Sequence, residues 1–276
     1  MKYNALFLVF LCASLSAQIT CNPKDRLLFQ QKIEALEQVK AHSFGDTLVQ
    51  VGKTFLGTPY VEKTLEIGDT ETLVINLRGL DCTTYVENVL AFSTLLRDGN
   101  TDFDAFAETL KTIRYRNATL NGYSSRLHYF TEWIRNNNEK GFVKDISADL
   151  GGVELQKPIN FMGTHRELYP FLKDDDNYQK ILETEKALAK QTLCILPQDQ
   201  IKAVEEKINN GDIIALATSI KGLDVTHTGV AIRRPNGRIH LLHASSSGQV
   251  TITEEPLADY LKKIKNNIGI IVARPL

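Results

Sequence analysis

The clearest hydrophobic pattern in the chain follows Cys82. Apolar residues recur there at the three- and four-residue spacing of one helix face, and they are Tyr85, Val86, Val89, Leu90 and Leu96. The pattern predicts a helix that begins near Cys82, with Asp81 at the N-cap position. The cysteine would lie in the first turn, where the positive end of the helix dipole favours the thiolate over the thiol. We expect its sulfur on the inward face of the helix.

Two more helices and a strand are predicted upstream. Apolar residues follow helical spacing over 24–39 and 46–55. The second of these helices should end before the Gly-Thr-Pro-Tyr turn at 57–60, because glycine suits a helix end and proline cannot continue it. Residues 72–77 have the composition of a strand and lead into the helix of the cysteine.

The middle of the chain has a mostly helical pattern. The expected order is a helix over 102–113, a polar loop over 114–125, a helix carrying Leu127, Phe130, Trp133 and Ile134, short strands within 142–162, and a helix over 165–191 interrupted by acidic residues at 174–176. The acidic triplet lacks the spacing of a calcium loop, so we assign no metal to it.

The last third changes to a strand pattern. Strands are expected at 212–217, 226–232, 239–245, 250–253 and 268–273, with helices over 199–208 and near 256–265. A turn at Pro235-Asn236-Gly237 joins two of the strands as a hairpin. This order predicts an antiparallel sheet, and with the preceding helices it predicts an α+β fold.

The first 17 residues have the pattern of a secretory signal peptide. Lys2 gives a short positive region, an apolar run follows over 5–15, and small residues at 14–17 suit cleavage after Ala17. No other stretch reaches the roughly 20 apolar residues of a membrane span. We therefore expect an exported protein, periplasmic or extracellular, without a membrane span.

Charge and cysteine content limit the function classes. The chain has 32 Lys and Arg against 33 Asp and Glu, without a basic block, so we expect no nucleic-acid partner. Three cysteines follow the signal segment, and Cys21 could pair with Cys194 while Cys82 stays free, although plain burial of Cys194 is the preferred alternative. The spacing of cysteines and histidines does not suit zinc, so we expect neither a metal nor a cofactor.

Two histidines on the predicted hairpin supply partners for a nucleophile. His227 and His243 are an even number of residues apart, so a suitable hairpin loop places both imidazoles on one sheet face. Gly229 leaves room there for another element, such as the helix of Cys82. The three side chains match a nucleophile, a base and an orienting group. The alternatives are a structural histidine pair, or a metal site with the cysteine as third ligand.

Five motifs in order resemble the NlpC-type cell-wall cysteine peptidases. They are Gly57-Thr58-Pro59-Tyr60, Leu80-Asp81-Cys82-Thr83-Thr84-Tyr85-Val86, Gly211-Asp212-Ile213-Ile214, His227-Thr228-Gly229-Val230-Ala231-Ile232 and His243-Ala244-Ser245. The resemblance implies a papain-like α+β core with a nucleophile helix packed on an antiparallel sheet. It implies Cys82 as nucleophile, His227 as base, His243 as orienting group and Tyr60 as a residue lining the site.

The chain departs from this superfamily in three places. Thr83-Thr84 replaces the usual Ser-Gly, and the hairpin between the two histidines is longer than usual. A mostly helical insertion over about 100–200 also separates the N-terminal half at 18–99 from the sheet half at 201–276. With these features the chain resembles a narrower branch, formerly a domain of unknown function, of N-acetylmuramoyl-L-alanine amidases that act on anhydro-muropeptides. The resemblance implies soluble peptidoglycan fragments as substrates.

The insertion would shape the substrate groove in this interpretation. Arg126, Tyr129 and Trp133 form a set suited to a sugar ring and its acyl groups, whereas we expect His128 to be an exposed or capping side chain. Asp81 and Thr83 would lie beside the reacting carbonyl. Two other functions stay open, a γ-D-glutamyl-diamino acid endopeptidase of stem peptides and a non-catalytic cell-wall binding module. A monomer is expected.

Overall fold

The computed structural model describes residues 19–37 and 41–276, so the proposed signal segment and Val39 lie outside the described residues. The helices are α1 (Pro23–Glu37), α2 (Phe44–Lys53), α3 (Cys82–Arg97), α4 (Phe103–Arg114), α5 (Phe130–Glu139), α6 (Phe161–Thr164), α7 (Asp175–Leu188), α8 (Ile201–Val204) and α9 (Leu257–Leu261). The strands are β1 (Ile19–Cys21), β2 (Leu73–Ile75), β3 (Val143–Asp145), β4 (Val153–Leu155), β5 (Leu193–Pro197), β6 (Ile213–Thr218), β7 (Val225–Arg233), β8 (Ile239–Ala244), β9 (Val250–Ile252) and β10 (Asn267–Pro275).

An antiparallel sheet organises the described residues, which confirms the predicted α+β class. Its strand order is β4-β5-β10-β6-β7-β8-β9, and β3 also pairs with β10. The short strands β1 and β2 form a separate parallel pair. The predicted insertion therefore contributes strands as well as helices, because β3, β4 and β5 all lie within 100–200 and extend the sheet.

The central helix α3 packs on β7 and β8 and lies beside α2 and α4. Its residues 84–95 are all buried. One sheet face, with Ala215 and Val230, faces α3, and the opposite face, with Leu216 and Leu241, packs against α9. Both faces of the sheet are thus covered, and no helix among the described residues is long and apolar enough to cross a membrane.

Several predicted helices are shorter than their patterns suggested. The region 165–191 forms 3-10 turns and then α7, which begins where the acidic triplet lies, because Asp174 caps it and accepts from Asn177 N at 2.8 Å. The predicted helix carrying Leu127 begins only at Phe130. Over 199–208 the chain forms α8 followed by a single 3-10 turn.

Candidate active site

The first turn of α3 carries the cysteine where the sequence predicts it. Asp81 is the N-cap, its Oδ1 accepts from Thr84 N at 2.7 Å, and its own N–H donates to Thr84 Oγ1 at 2.9 Å. This reciprocal capping box fixes the chain entering the helix. Cys82 therefore has a rigid backbone and a half-buried side chain at the helix N-terminus.

The histidines meet on the β7–β8 hairpin. Nε2 of His227 lies 2.5 Å from Nδ1 of His243, and the rings are nearly perpendicular. The prediction that both imidazoles share a face is confirmed. The space beside Gly229 is filled by Leu241 and by His243, whose Cβ would be 2.9 Å from a Cβ at position 229. The glycine thus admits the neighbouring strand, and the expectation that it admits the cysteine helix is wrong.

Strand β7 brings His227 to the pocket that Cys82 lines. Thr228 Oγ1 donates to the carbonyl of Cys82 at 2.8 Å, which fixes the helix end to the strand. Cys82 and His227 both line a pocket of about 120 Å³, although no hydrogen bond joins them in this structure. The other lining residues are Thr83, His128, Tyr129, Phe130, Met162, Tyr169, Leu223, Asp224, Val225, Thr226 and Thr228.

The Cys82 thiol and the His227 imidazole are both neutral at rest. Burial, together with the Asp81 carboxylate, raises the pKa of the Cys82 thiol to about 11. Burial also lowers the pKa of His227 to about 3 and that of His243 to about 4. The expectation that the helix N-terminus favours the thiolate is wrong for this resting state, because desolvation of the sulfur outweighs the field of the helix end.

Tyr60 lies on a segment that pairs with the chain just before Cys82. Leu80 N donates to Pro59 O at 3.0 Å, and Tyr60 N donates to Gly248 O at 2.8 Å. Burial, with contributions from nearby Cys82 and Asp81, raises the pKa of the Tyr60 phenol far above its ordinary value. The hydroxyl thus stays protonated and can donate a hydrogen bond.

The predicted groove residues of the insertion separate in the structure. Arg126 is buried and forms ion pairs with Glu66 at 2.6 Å and Glu71 at 3.4 Å, so its charge is already compensated. Trp133 is fully buried against Phe130 and lines no part of the pocket. Neither side chain lines the pocket, so the expectation that they form the groove is wrong. Arg126 is buried in ion pairs, and Trp133 is buried in the hydrophobic core.

Tyr129 lies at the pocket, but its hydroxyl is held by the protein. It donates to Glu185 Oε1 at 2.6 Å and accepts from Met162 N at 3.0 Å. His128 also lines the pocket and bonds Tyr123 O through Nε2 at 2.9 Å. Sequence patterns offered no signal for the wall residues Met162 and Tyr169, because short helical segments far along the chain bring them to the site.

Two further cysteines lie among the described residues. Cys21 and Cys194 are both free, so the disulfide considered from the sequence does not form. Among residues 19–37 and 41–276, no group of three His, Cys, Asp or Glu side chains is arranged to hold a metal ion. The site therefore combines Cys82 and His227, which line one pocket, with His243, which contacts His227, on an α+β framework.

This chain belongs to the AmiA-like family, whose description is N-acetylmuramoyl-L-alanine amidase-like, and residues 50–270 match it. A crystal structure of an N-acetylmuramoyl-L-alanine amidase from Bacteroides uniformis is 35% identical, with a TM-score of 0.80 over 84% of this chain and 99% of that one. No curated protein matches the sequence.

Two more solved structures share the fold. A protein from Bacteroides fragilis described as a candidate xylanase is 41% identical, with a TM-score of 0.76 over 81% of this chain and 98% of that one. A Legionella pneumophila protein is 21% identical, with a TM-score of 0.68 over 92% of this chain and 94% of that one, which shows similarity of fold alone.

Proposed function

We propose that the protein is an exported cysteine amidase that hydrolyses the bond between N-acetylmuramic acid and L-alanine in soluble peptidoglycan fragments. The observation that carries this proposal is that Cys82 and His227 line one pocket, while Nε2 of His227 lies 2.5 Å from Nδ1 of His243. Membership in the amidase-like family supports the bond type. The core is papain-like in this proposal, the protein acts as a monomer, and no metal or cofactor takes part.

The reaction runs through a thioester. His227 Nδ1 takes the proton of the Cys82 thiol when substrate binds, and the sulfur attacks the lactyl carbonyl carbon. The carbon–nitrogen bond then breaks, and His227 returns the proton to the amine of L-alanine. Water attacks the thioester next and gives up a proton to His227. The carbon–sulfur bond then breaks, His227 returns the proton to the Cys82 sulfur, and the acid leaves as the thiol is regenerated. At neutral pH His227 is unprotonated, which is the form that a general base needs.

The charge that develops on the carbonyl oxygen needs donors. The backbone N–H of Cys82 points out of the first helical turn, and the Tyr60 hydroxyl stays protonated beside the nucleophile. Together they form the oxyanion site, which is the largest electrostatic contribution in acyl transfer. His243 accepts from His227 Nε2–H and thereby fixes the tautomer that leaves Nδ1 free.

The pocket favours an amidase over a glycosidase. Glycoside hydrolysis generally uses two carboxyl groups on opposite sides of the bond. Among the described residues, Asp224 is the only carboxylate lining this pocket, and it already accepts from Thr131 N and Thr131 Oγ1, each at 2.8 Å. A xylanase activity, suggested by the name of one solved relative, therefore lacks its chemical groups here.

The endopeptidase alternative is also less favoured. Release of dipeptides from a stem peptide needs a site for a free amine, and Asp81 is the acidic side chain beside the nucleophile. Its Oδ1 is already engaged by Thr84 N and Thr84 Oγ1 as the helix cap. The small pocket instead suits the lactyl and alanyl groups that flank the proposed bond.

Active-site alkylation tests the cysteine mechanism. We expect iodoacetamide to modify Cys82 and to abolish turnover of an anhydro-muropeptide in proportion, while bound substrate protects both. Peptide mapping distinguishes Cys82 from Cys21 and Cys194. Full turnover after complete modification of Cys82, or inhibition by a chelator that zinc reverses, would refute the thioester mechanism.

A further inference from the structure

Helix α1 lies outside the stretch 50–270 that matches the family. It carries two buried charged side chains. Asp25 and Lys32 are both buried, and they are seven residues apart, which is two helical turns. Their side chains therefore leave the same face of α1. A buried charge is costly unless it is compensated, so the partners of these residues indicate what the face does.

Asp25 holds the segment that leads into the nucleophile. Its Oδ1 accepts from Leu77 N at 2.9 Å and from Arg78 Nε at 3.0 Å, and its Oδ2 accepts from Asn22 N at 3.1 Å. Leu77 and Arg78 precede Cys82 by five and four residues. The carboxylate thus fixes the loop just before the capping box of α3.

Lys32 holds the segment that leads to Tyr60. Its Nζ donates to Thr54 O at 2.7 Å and lies 3.7 Å from the centre of the Phe55 ring. Thr54 is the C-cap of α2. A positive charge at this end of a helix can bond the free carbonyls and interacts favourably with the helix dipole. The chain continues directly from this cap to the turn at 57–60.

The two held segments meet beside the site. Leu80 N donates to Pro59 O at 3.0 Å, and Val61 N donates to Leu80 O at 3.1 Å. Asp25 therefore acts on the loop that carries the Cys82 N–H, and Lys32 acts on the segment that carries the Tyr60 hydroxyl. We propose that α1 is a two-point brace for the oxyanion site, and that Asp25 and Lys32 are positioning residues for acyl transfer. This inference rests on the proposed function.

The test uses Asp25→Ala, Asp25→Asn and Lys32→Met in the full chain. Asp212→Asn is a matched control, because Asp212 is equally buried and accepts from Asn209 N at 2.8 Å and from Arg274 Nη2 at 2.8 Å. It precedes β6 at the strand end remote from the Leu216–His227 pair. Glu34→Gln controls for charge loss on the exposed face of α1.

Three readouts are taken at a temperature where every variant is folded by circular dichroism. They are kcat and KM for an anhydro-muropeptide, the rate of Cys82 acylation by p-nitrophenyl acetate, and the rate of Cys82 alkylation by iodoacetamide. Acylation passes through an oxyanion and alkylation does not. We expect Asp25→Ala and Lys32→Met to lower kcat and acylation at least about tenfold, with KM and alkylation within about twofold.

The conservative variant separates positioning from bulk stability. Asp25→Asn keeps an oxygen acceptor for Leu77 N, so it should recover most of the acylation rate, and both controls should acylate at the wild-type rate even if their melting temperatures fall. Wild-type acylation by folded Asp25→Ala and Lys32→Met, or equal losses in Asp212→Asn, would overturn the brace. A wild-type protein that is acylated but does not cleave the muropeptide would instead refute the proposed substrate.

Discussion

His227 and His243 are diagonal neighbours across the β7–β8 hairpin, with Nε2 of the first 2.5 Å from Nδ1 of the second. The pairing of Val230 with Leu242 sets this register, since it brings His243 opposite Gly229 on the same face. Because Nε2 of His227 is occupied, only its Nδ1 is available to the nucleophile. In the proposed mechanism, the hairpin thus determines which nitrogen of His227 accepts the proton.

Loss of the orienting group should lower kcat more than it raises KM. We expect His243→Ala to reduce kcat by about 100-fold or more, and His243→Asn to recover about tenfold, since an amide oxygen can accept from His227 Nε2–H. Steady-state kinetics on a muropeptide measures both. His240→Gln is the matched control, because His240 is buried on the same strand and bonds Thr253 O. Equal losses in all three variants would contradict the assignment.

Nucleophile and base should act as one unit. Cys82→Ala removes the group that forms the thioester, and His227→Ala removes the group that accepts its proton, so each should lower kcat by roughly 1000-fold or more. The double variant should resemble either single variant, because both losses affect the same step. Fully additive losses in single-turnover assays would show that the two residues act in separate steps.

The buried histidine pair should make the fold sensitive to acid. Both pKa values are lowered on folding, to about 3 for His227 and about 4 for His243, so the unfolded chain takes up protons first as pH falls below about 6.5. Their contribution to stability is fully present above pH 6.5 and is lost progressively down to these folded values.

This loss can be measured by urea unfolding at pH 7 and pH 5. Each histidine should remove at most about 2 kcal/mol from the free energy of unfolding between these pH values. His243→Gln should reduce the difference in unfolding free energy between pH 7 and pH 5 by the contribution of one histidine. An unchanged slope in that variant would show that His243 is not held neutral in the folded state.

The pocket wall depends on Glu185. Its Oε1 accepts from Tyr129 OH at 2.6 Å and from Gly163 N at 2.8 Å, which holds the segment carrying Met162 and Tyr169. Glu185→Ala should raise KM about tenfold with a smaller change in kcat, because binding contacts loosen while the Cys82 site is untouched.

Glu185→Gln is the control for this prediction, since its amide oxygen can accept both hydrogen bonds and should preserve KM. Initial-rate kinetics with one muropeptide compares the three proteins, and iodoacetamide alkylation checks that Cys82 reacts normally in each. A kcat loss without a KM change in Glu185→Ala would mean that this segment acts on the chemistry and does not hold the pocket wall.

Local patterns predicted the parts of the site that local structure positions. The start of α3 follows from the capping residues around Cys82, and the histidine contact follows from strand alternation and an even separation. The strands β3 and β5 were not predicted as part of the main sheet, because their pairing with β10 joins residues far apart in sequence.

The prediction that Arg126 and Trp133 line the substrate groove was wrong for a related reason. Arg126 and Trp133 have the side chains of a sugar site, but their environment depends on remote partners such as Glu66 and Glu71. A sequence pattern shows which side chains are available, whereas burial and charge pairing are determined by the whole fold. The sequence also could not show that the Cys82 thiol is neutral, because the sulfur is desolvated by packing against β7.

The central claim is that the protein cleaves the bond between the sugar acid and L-alanine. Mass spectrometry of the products from one defined disaccharide-tetrapeptide with an anhydro sugar tests it most directly. We expect an intact tetrapeptide and a free disaccharide, absent from the Cys82→Ala reaction and formed more slowly from intact sacculi. Release of the dipeptide L-Ala-γ-D-Glu, or no release of free disaccharide from this substrate, would contradict it.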